Sequence, residues 1–461
     1  MNLTLRNVEV EGRDGLDVRI EGGRIVEIGA RLARGDDIDG RGGALIPGLA
    51  DHHIHLFALA AREASVVLDD VRDAATLVER VRAGSWLRPG SWVRATGYHE
   101  RMAGELSRQE LDALAPHFPL RIQHQTGALW MLNSQALALV AADDGPPCVE
   151  RGADGGPTGR IWRGDAWLRE RLGAEPPPLR PIGAQLARFG VTHLTDASVT
   201  TDAAAAARLA DARRVMDLQQ HLMLMSGEPL EAPDDGAFAV GPVKVLLDDH
   251  ALPDLDDFIA RIGQARLWGR AVAVHCVTAG ELALTLAAFG AAGARTGDRI
   301  EHGGVIPTEA ISQLRALGLI VVTQSAFVRE RGDRYLAEVD PAEQPDLYRH
   351  ASLKAEGVQL AGSSDAPYAT PDPWVGIAAA MDRFTLAGRS LGPFEGLRPH
   401  EALGLYLGDL KDPAGPPRRV AEGAAADLCL LRTPLAQALW RPTSDLVRAT
   451  FIGGPVYLGP S

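Results

Sequence analysis

Five groups of ionisable residues each stand at or near the C-terminal end of a short apolar run. The runs are ALIPGLADHHIHL, GPVKVLLDD, RAVAVHC, DRIEHGG and VQLAGSSDAP. Imidazole, carboxylate and amine groups of this kind bind divalent metals and carry protons. Because the carboxyl ends of parallel barrel strands converge on one pocket, the shared placement predicts a single polar site.

The first group is DHHIH at 51–55. Side chains alternate along a strand, so His53 and His55 are expected to point to the same side and to bind one ion. His52 is expected to point the other way and to have a structural role. The alternative for an isolated H-x-H is a polar strand end that faces solvent.

Three further residues extend this metal hypothesis. His275 and His302 follow apolar runs, and each taken alone is more often a packed or loop histidine than a ligand. Beside H-x-H they supply the neutral imidazoles that Zn²⁺, Fe²⁺ or Mn²⁺ sites use. Asp365, in GSSDAP, is either an Asx-turn carboxylate or a ligand that accepts a proton from metal-activated water.

Lys244 lies inside the apolar run VKVLL, where an unpaired ammonium would be costly. One interpretation is that its side chain reaches solvent or meets Asp248. The other is carboxylation by CO₂, which gives an anionic ligand that bridges two metals. Arg299 and Glu301, just before His302, are expected to make supporting contacts.

The elements that must position these groups divide the chain into three parts. Short apolar runs separated by Gly-rich turns predict a β-sandwich built from both termini, residues 1–46 and 411–461. Residues 47–410 alternate strand-like runs with Ala/Leu/Arg-rich helical stretches, which is typical of a (β/α)8 barrel. Residues 66–180 are predicted to be an insertion that covers the barrel mouth and sets substrate preference.

Composition excludes several classes of protein. The chain has 461 residues and a formal net charge of −13, without a long run of Lys or Arg, so neither nucleic acid nor an anionic membrane is expected as a partner. Three widely spaced cysteines, Cys148, Cys276 and Cys429, favour a reducing compartment, and we expect the cytoplasm. The motifs G-x-S-x-G, G-x-x-x-x-G-K-[ST] and H-E-x-x-H do not occur.

Taken in order, these motifs resemble the amidohydrolase superfamily, and more narrowly its amidohydrolase 3 branch, which includes N-substituted formamide deformylases. The matching segments extend over essentially the whole chain: PGLADHHIH at 47–55, GPVK at 241–244, RIEH at 299–302, SDAP at 364–367 and, in the insertion, LNS at 132–134.

The resemblance implies a role for each ligand. His53 and His55 would bind a first metal, Lys244 would be the carboxylated bridge, and His275 and His302 would bind a second metal. Asp365 would be both ligand and general base. The implied cofactor is one or two divalent ions, zinc foremost, with iron or manganese as alternatives. The implied reaction is hydrolysis of a non-peptide C–N bond, as in an amide or formamide, in a small molecule.

Two alternatives stay open from the sequence. A deaminase of the same superfamily relies on a Glu three residues after the strand histidine, and this chain has Thr278 there. A catalytically inactive barrel that acts as a binding protein would be expected to lose ligands, and all six positions are kept. A homodimer is also possible for a barrel of this kind.

The residues that contact substrate are less well indicated. His99, His124 and Trp130 in the insertion are candidates, and so is His193 in the barrel. Ala128 stands where many members of the branch carry a His, which leaves the substrate pocket open.

Overall fold

The structure is a computed structural model that describes residues 2–33, 36–86, 92–173 and 177–459. The chain forms two compact units. One contains Met1–Leu56 and Leu179–Ser461, and the other contains Phe57–Pro178. The insertion predicted at 66–180 overlaps this second unit, which starts earlier because it takes in nearly all of the first helix, Leu56–Glu63.

The two chain ends form two four-stranded sheets. The first has the order β3-β2-β1-β4, and the second has the order β22-β21-β20-β5. Their strands are β1 Asn2–Val10, β2 Arg13–Glu21, β3 Arg24–Gly29, β4 Asp37–Asp39, β5 Leu45–Pro47, β20 Asp427–Leu431, β21 Val447–Ile452 and β22 Pro455–Leu458. Leu5 and Val18 of the first sheet and Leu428 and Phe451 of the second share one buried core, which confirms the predicted sandwich.

Eight parallel strands form the barrel, in the order β19-β18-β17-β16-β15-β14-β13-β6. They are β6 Leu49–Ile54, β13 Val191–Asp196, β14 His221–Ser226, β15 Ala239–Val245, β16 Val272–Cys276, β17 Arg299–His302, β18 Ile320–Thr323 and β19 Gln359–Gly362. Beyond the strand ends, Asp365 N donates to His53 O at 2.8 Å and His55 N to Ala366 O at 2.9 Å, which brings the last strand back to the first. The predicted (β/α)8 barrel is confirmed.

Strand β6 is irregular where it carries the histidines. Leu194 of β13 pairs with Asp51 and Asp196 with Ile54, so β6 has one extra residue between these pairs. A bulge of this kind changes the side to which following side chains point. His52 is fully buried, and burial, with the positive charges of Arg299 and Arg418, lowers its pKa to about 3. His52 is not among the residues whose ligand atoms group around Asp365, and its structural role stays a prediction.

The inserted unit is built on a six-stranded sheet of order β11-β12-β10-β9-β8-β7. Its strands are β7 Val66–Val67, β8 Val93–Tyr98, β9 Leu120–His124, β10 Leu129–Leu132, β11 Val149–Arg151 and β12 Pro157–Trp162. One face of this sheet packs Ala95, Ile122 and Met131 into a core with Leu77 and Leu111.

Sixteen α-helices lie in the described part of the chain. They are α1 Leu56–Glu63, α2 Ala74–Trp86, α3 Glu100–Ala103, α4 Arg108–Leu114, α5 Ser134–Leu139, α6 Asp165–Leu172, α7 Arg180–Arg188, α8 Ala203–Arg214, α9 Leu255–Leu267, α10 Ala279–Ala292, α11 Thr308–Ala316, α12 Ala326–Glu338, α13 Ala351–Ala355, α14 Pro373–Asp382, α15 Pro399–Gly404 and α16 Leu435–Trp440. Among the described residues, a helix with the length and apolarity needed to cross a membrane does not occur.

Candidate metal centre

Each residue predicted to bind metal lies at the carboxyl end of a barrel strand. The six are His53 in β6, His55 just after it, Lys244 in β15, His275 in β16, His302 at the end of β17 and Asp365 after β19. The ligand atoms of His53, His55 and Asp365 all lie within 4.8 Å of one another. Ring centroids are 4.9 Å apart for His53 and His302 and 4.5 Å apart for His275 and His302. The structure thus brings the predicted histidines and Asp365 into one group.

Asp365 is the carboxylate on which the histidines converge. Its Oδ1 lies 3.1 Å from His55 Nε2 and 3.4 Å from His53 Nε2, and its Oδ2 lies 3.9 Å from His302 Nδ1. Neutral imidazole and ionised carboxylate at these separations are suitable donors for a divalent cation.

Glu301 determines which nitrogen of His53 can bind a metal. Its Oε2 contacts His53 Nδ1 in a buried hydrogen bond, and Arg299 Nε donates to its Oε1. A carboxylate paired with arginine only accepts, so the proton of His53 resides on Nδ1. The Nε2 lone pair is left facing Asp365. The supporting contacts expected of Arg299 and Glu301 are present.

Gln324 has the same effect on His302. Its amide nitrogen donates to Ser363 Oγ at 2.9 Å, so its Oε1 is left to accept from His302 Nδ1 at 2.8 Å. For His55, Ser198 Oγ lies 3.1 Å from Nδ1 and can accept its proton. Supporting groups that fix the tautomer in this way are a general feature of metal-binding histidines.

Burial sets the protonation states of the group. Desolvation lowers the pKa of His53 well below its usual value and lowers the pKa of His302 to about 3. Burial alone would raise the pKa of Asp365, but its interactions with His55, His53 and His302 outweigh this effect, and the net pKa is lowered. Neutral imidazoles and an ionised carboxylate are the forms that bind metal.

Lys244 is an orphaned buried amine. Its side chain is 3% exposed, and its Nζ has no hydrogen-bond partner among the described residues. Desolvation lowers the pKa of Lys244, although the negative charges of Glu301 and Asp365 oppose that shift. A lowered pKa favours the uncharged amine, which is the form that reacts with CO₂.

The backbone at two of these positions is unusual. His302 has φ 71° and Asp365 has φ 56°, both in the left-handed region that non-glycine residues rarely adopt. Such conformations cost about 1–3 kcal/mol each and cluster at functional sites. Asp51 holds the loop before Asp365, because its carboxylate accepts from both the backbone N and the hydroxyl of Ser364.

A second group of the same composition lies near the amino ends of the barrel strands. His193 of β13 stands opposite His221, the first residue of β14, and Asp427 begins β20. Asp427 Oδ2 lies 3.0 Å from His221 Nε2 and 3.9 Å from His193 Nε2. Because His193 belongs to the amino-terminal half of its strand, it is not among the predicted metal-centre residues, and the expectation that it contacts substrate is not supported.

The three candidate substrate residues of the inserted unit each have partners within that unit. His99 Nδ1 accepts from Arg101 N at 3.1 Å and caps α3. His124 Nε2 lies 3.2 Å from Glu100 Oε2, and Trp130 Nε1 donates to Asp165 Oδ1 at 2.8 Å. A role in substrate binding stays a prediction for all three.

Comparison with known proteins identifies the family. The profile of the amidohydrolase family matches residues 36–457, which is most of the chain. The chain belongs to the amidohydrolase family. The resemblance inferred from its motifs is thereby confirmed, and so is the predicted class, a hydrolase of carbon–nitrogen bonds other than peptide bonds.

Relatives extend over almost the same length. The chain is 26% identical to an N-substituted formamide deformylase of Arthrobacter pascens, covering 88% of this chain and 87% of the relative. It is 25% identical to the protein YtcJ of Bacillus subtilis, named as an amidohydrolase, with 80% of each covered. A crystal structure of an uncharacterized metal-dependent hydrolase of Pyrococcus horikoshii has the same fold, with a TM-score of 0.71, 19% identity and 88% and 92% coverage of the two chains.

Ser198 and Gln324 were not predicted from the sequence. Both follow short runs that end barrel strands, LTDAS at 194–198 and VVTQ at 321–324. A polar residue just beyond a barrel strand is the signal that could have identified them. Their partners, His55 and His302, are distant in sequence, so the pairing itself becomes visible only in the fold.

Proposed function

We propose that this amidohydrolase uses a metal centre at His53, His55, Lys244, His275, His302 and Asp365 to hydrolyse a formamide or similar N-acyl bond in a small molecule. One observation carries the proposal. Glu301 holds the proton of His53 on Nδ1, so the Nε2 lone pair of His53 faces the Asp365 carboxylate at 3.4 Å, and Gln324 holds the proton of His302 on Nδ1 and leaves its Nε2 unprotonated. A divalent cation could bind to these donors.

The donors suit one or two divalent ions, and zinc is the first candidate because imidazole and carboxylate are its common ligands. His53 and His55 would hold one ion, and His275 and His302 would hold a second. The cation supplies Lewis acidity, which polarises a carbonyl and lowers the pKa of water.

Lys244 is proposed to become the bridging ligand by carboxylation. Its neutral Nζ attacks CO₂, a C–N bond forms, and one proton is released to leave an anionic carbamate. This reaction would give the buried side chain a charge opposite to that of the ammonium and would supply oxygen ligands, which accounts for an amine that lacks a partner among the described residues.

Asp365 is proposed to transfer the proton of the reaction. As an ionised group it can accept a proton from the attacking water, and in its acid form it can donate that proton to the leaving nitrogen. The negative charge needed for the first step follows from its lowered pKa.

The formamide preference rests on the Arthrobacter relative, which is similar over nearly the full length. The deaminase alternative is weaker, because Thr278 Oγ1 accepts from Glu281 N at 3.2 Å and caps α10. We further propose that residues 66–180 set substrate preference. Cytoplasmic location and homodimer formation stay predictions from the sequence.

Metal content and turnover test this proposal together. Protein purified without chelators and supplied with bicarbonate should contain close to two equivalents of zinc, iron or manganese and should release formate from N-substituted formamides. One equivalent would assign Lys244 a structural role. Absence of metal after reconstitution would contradict the proposal, and a metal-loaded protein that hydrolyses other N-acyl compounds but not formamides would contradict the substrate class alone.

A further inference from the structure

The candidate metal centre is buried on most sides and open to solvent on one. The side chains of His53, His302 and Asp365 are at most 8% exposed. The His55 side chain is 19% exposed, and His275 is also partly exposed. The open side of the site therefore lies at His55 and His275.

Tyr368 lies beside His55 on this open side. The centroids of the two rings are 5.9 Å apart, and the ring planes are nearly perpendicular, at 86°. Tyr368 is 39% exposed. A single exposed apolar residue is common on a protein surface and needs no explanation. Contact with the ring of a candidate metal ligand is what distinguishes Tyr368, because it places an aromatic ring at the opening of the site.

Hydrogen bonds fix the backbone that carries this ring. Tyr368 N donates to Asp365 O at 2.8 Å, and Arg331 Nη2 donates to Tyr368 O at 2.5 Å. Two residues further on, Thr370 N donates to the Glu330 carboxylate at 3.2 Å. Because both backbone groups of Tyr368 are hydrogen-bonded within the protein, its exposed surface belongs largely to the side chain.

The arginine that holds Tyr368 is itself held by an aromatic ring. The Arg331 Cζ lies 4.4 Å from the centroid of the Phe327 ring, and Phe327 is buried. Cation–π contact of this kind fixes the plane of a guanidinium. Arg331 and Phe327 both belong to α12, so a helix supports the Tyr368 backbone from behind. A surface that is fixed before binding loses little conformational entropy when a ligand contacts it.

The proposed reaction determines which part of a substrate reaches Tyr368. If Asp365 protonates the leaving nitrogen, that nitrogen has to come within about 2.6–3.2 Å of the carboxylate. Asp365 Oδ1 lies 3.1 Å from His55 Nε2, and the His55 ring contacts Tyr368. The acyl carbon of a formamide carries only hydrogen, so any larger group is attached to the nitrogen. Such a group has room to extend toward the open side, where Tyr368 lies.

We propose that the ring of Tyr368 contacts the N-substituent of the formamide and favours substrates in which this group is apolar. The phenol ring offers an apolar face, and removal of that face and of the substituent from water stabilises the complex. This inference rests on the function proposed above, because it needs a substrate whose nitrogen approaches Asp365. Tyr368 determines specificity and does not transfer a proton.

The test compares N-butylformamide with N-methylformamide as substrates of the metal-loaded, full-length protein. Wild type should have the higher kcat/KM for N-butylformamide. Tyr368→Ala should lower this preference by about tenfold, mainly through a higher KM for the butyl compound, because it removes a contact that does not change during the reaction. Both substrates are measured on one sample, so the ratio does not depend on the fraction of protein that holds metal.

Two further variants serve as controls. Tyr368→Phe keeps the ring and should keep the preference. Phe384→Ala removes an aromatic side chain of similar exposure, 46%, which follows α14. Helices of a (β/α)8 barrel run back toward the amino ends of the strands, so Phe384 is remote from the site and its loss should leave the preference unchanged.

The outcomes separate this inference from the function on which it rests. An unchanged preference in Tyr368→Ala, or an equal change in Phe384→Ala, would overturn the inference while the proposed hydrolysis stands. Hydrolysis of neither formamide by the metal-loaded wild type would contradict both. If Tyr368→Ala fails to fold, Tyr368→Gln fills part of the space with a polar group and should also lower the preference.

Discussion

Among the described residues, two groups of histidines with one aspartate lie at or near the barrel strands, and they differ in the partner of the second ring nitrogen. At the carboxyl ends of the strands, His53 and His302 give their Nδ1 protons to Glu301 and Gln324. Near the amino ends, Arg418 Nη1 donates to His193 Nδ1 at 3.0 Å. Because Glu301 and Gln324 accept a proton and Arg418 donates one, His53 and His302 carry their proton on Nδ1, and His193 carries its proton on Nε2.

The tautomer decides whether a metal can bind. An arginine cannot accept, so His193 Nδ1 must offer its lone pair and its Nε2 must carry the proton. That proton points toward Asp427, which is already 3.0 Å from His221 Nε2. Arg418 also adds positive charge beside the group. The amino-end group therefore links the terminal sheet to the barrel and is unsuited to a cation.

Residue types and distances alone would not separate the two groups. Both place three ligand atoms within 4.8 Å. The two groups are distinguished by Glu301 and Arg418, which contact the histidine rings and would not contact an ion themselves. The partner of the ring nitrogen that does not face the ion therefore indicates whether a group of histidines can bind a metal.

The largest expected difference concerns turnover. Asp365→Asn should lower kcat by about 10³-fold or more, because the amide cannot accept the proton in the first step. Asp427→Asn, its counterpart at the amino end, should leave kcat within about twofold, since proton transfer there is not part of catalysis. Steady-state kinetics of the two metal-loaded variants measures both. Equal losses would contradict the distinction between the groups.

Metal content gives the next comparison. His55→Ala removes a ligand and should lower bound metal toward one equivalent or less, measured by elemental mass spectrometry. His221→Ala should leave it unchanged, because the amino-end group holds no cation. A loss of metal in the His221 variant would show that our tautomer argument is wrong.

Glu301→Gln tests the supporting contact itself. The amide can still accept from His53 Nδ1 but lacks the negative charge, and metal affinity should fall by about 10- to 100-fold. Competition with a chelator measures this change. Wild-type affinity in the variant would mean that the negative charge of Glu301 does not contribute to metal binding.

The smallest effect concerns pH. Burial lowers the pKa of His193 well below its usual value, so below about pH 6.5 the unfolded chain binds a proton that the folded chain does not. Stability of metal-free protein should therefore decrease as pH falls, by up to about 1.4 kcal/mol per pH unit for this group. Urea unfolding at a series of pH values measures how the free energy of unfolding changes with pH. For His193→Gln this change should be smaller than for wild type by the equivalent of about one proton. His250→Gln, at an exposed position, should match wild type.

The sequence predicted which residues form the candidate metal centre because they lie at strand ends in a regular way. H-x-H and the single residues near the ends of β15, β16 and β17 and after β19 follow from alternation and from barrel geometry. Lys244 stood out as a cation in an apolar run.

The remaining contacts depend on chain segments far apart in sequence. His193, His221 and Asp427 come together only when β20 packs against the barrel.

The pairing of β5 with β20 affects how the chain must be made. Leu45–Pro47 forms its ladder with residues that the ribosome adds only about 380 positions later. At ordinary rates of synthesis this interval lasts roughly 20–75 seconds. During this interval β5 lacks its partner strand β20, so its backbone hydrogen-bonding groups are unpaired on that edge. Unpaired strand edges can associate with strands of neighbouring nascent chains.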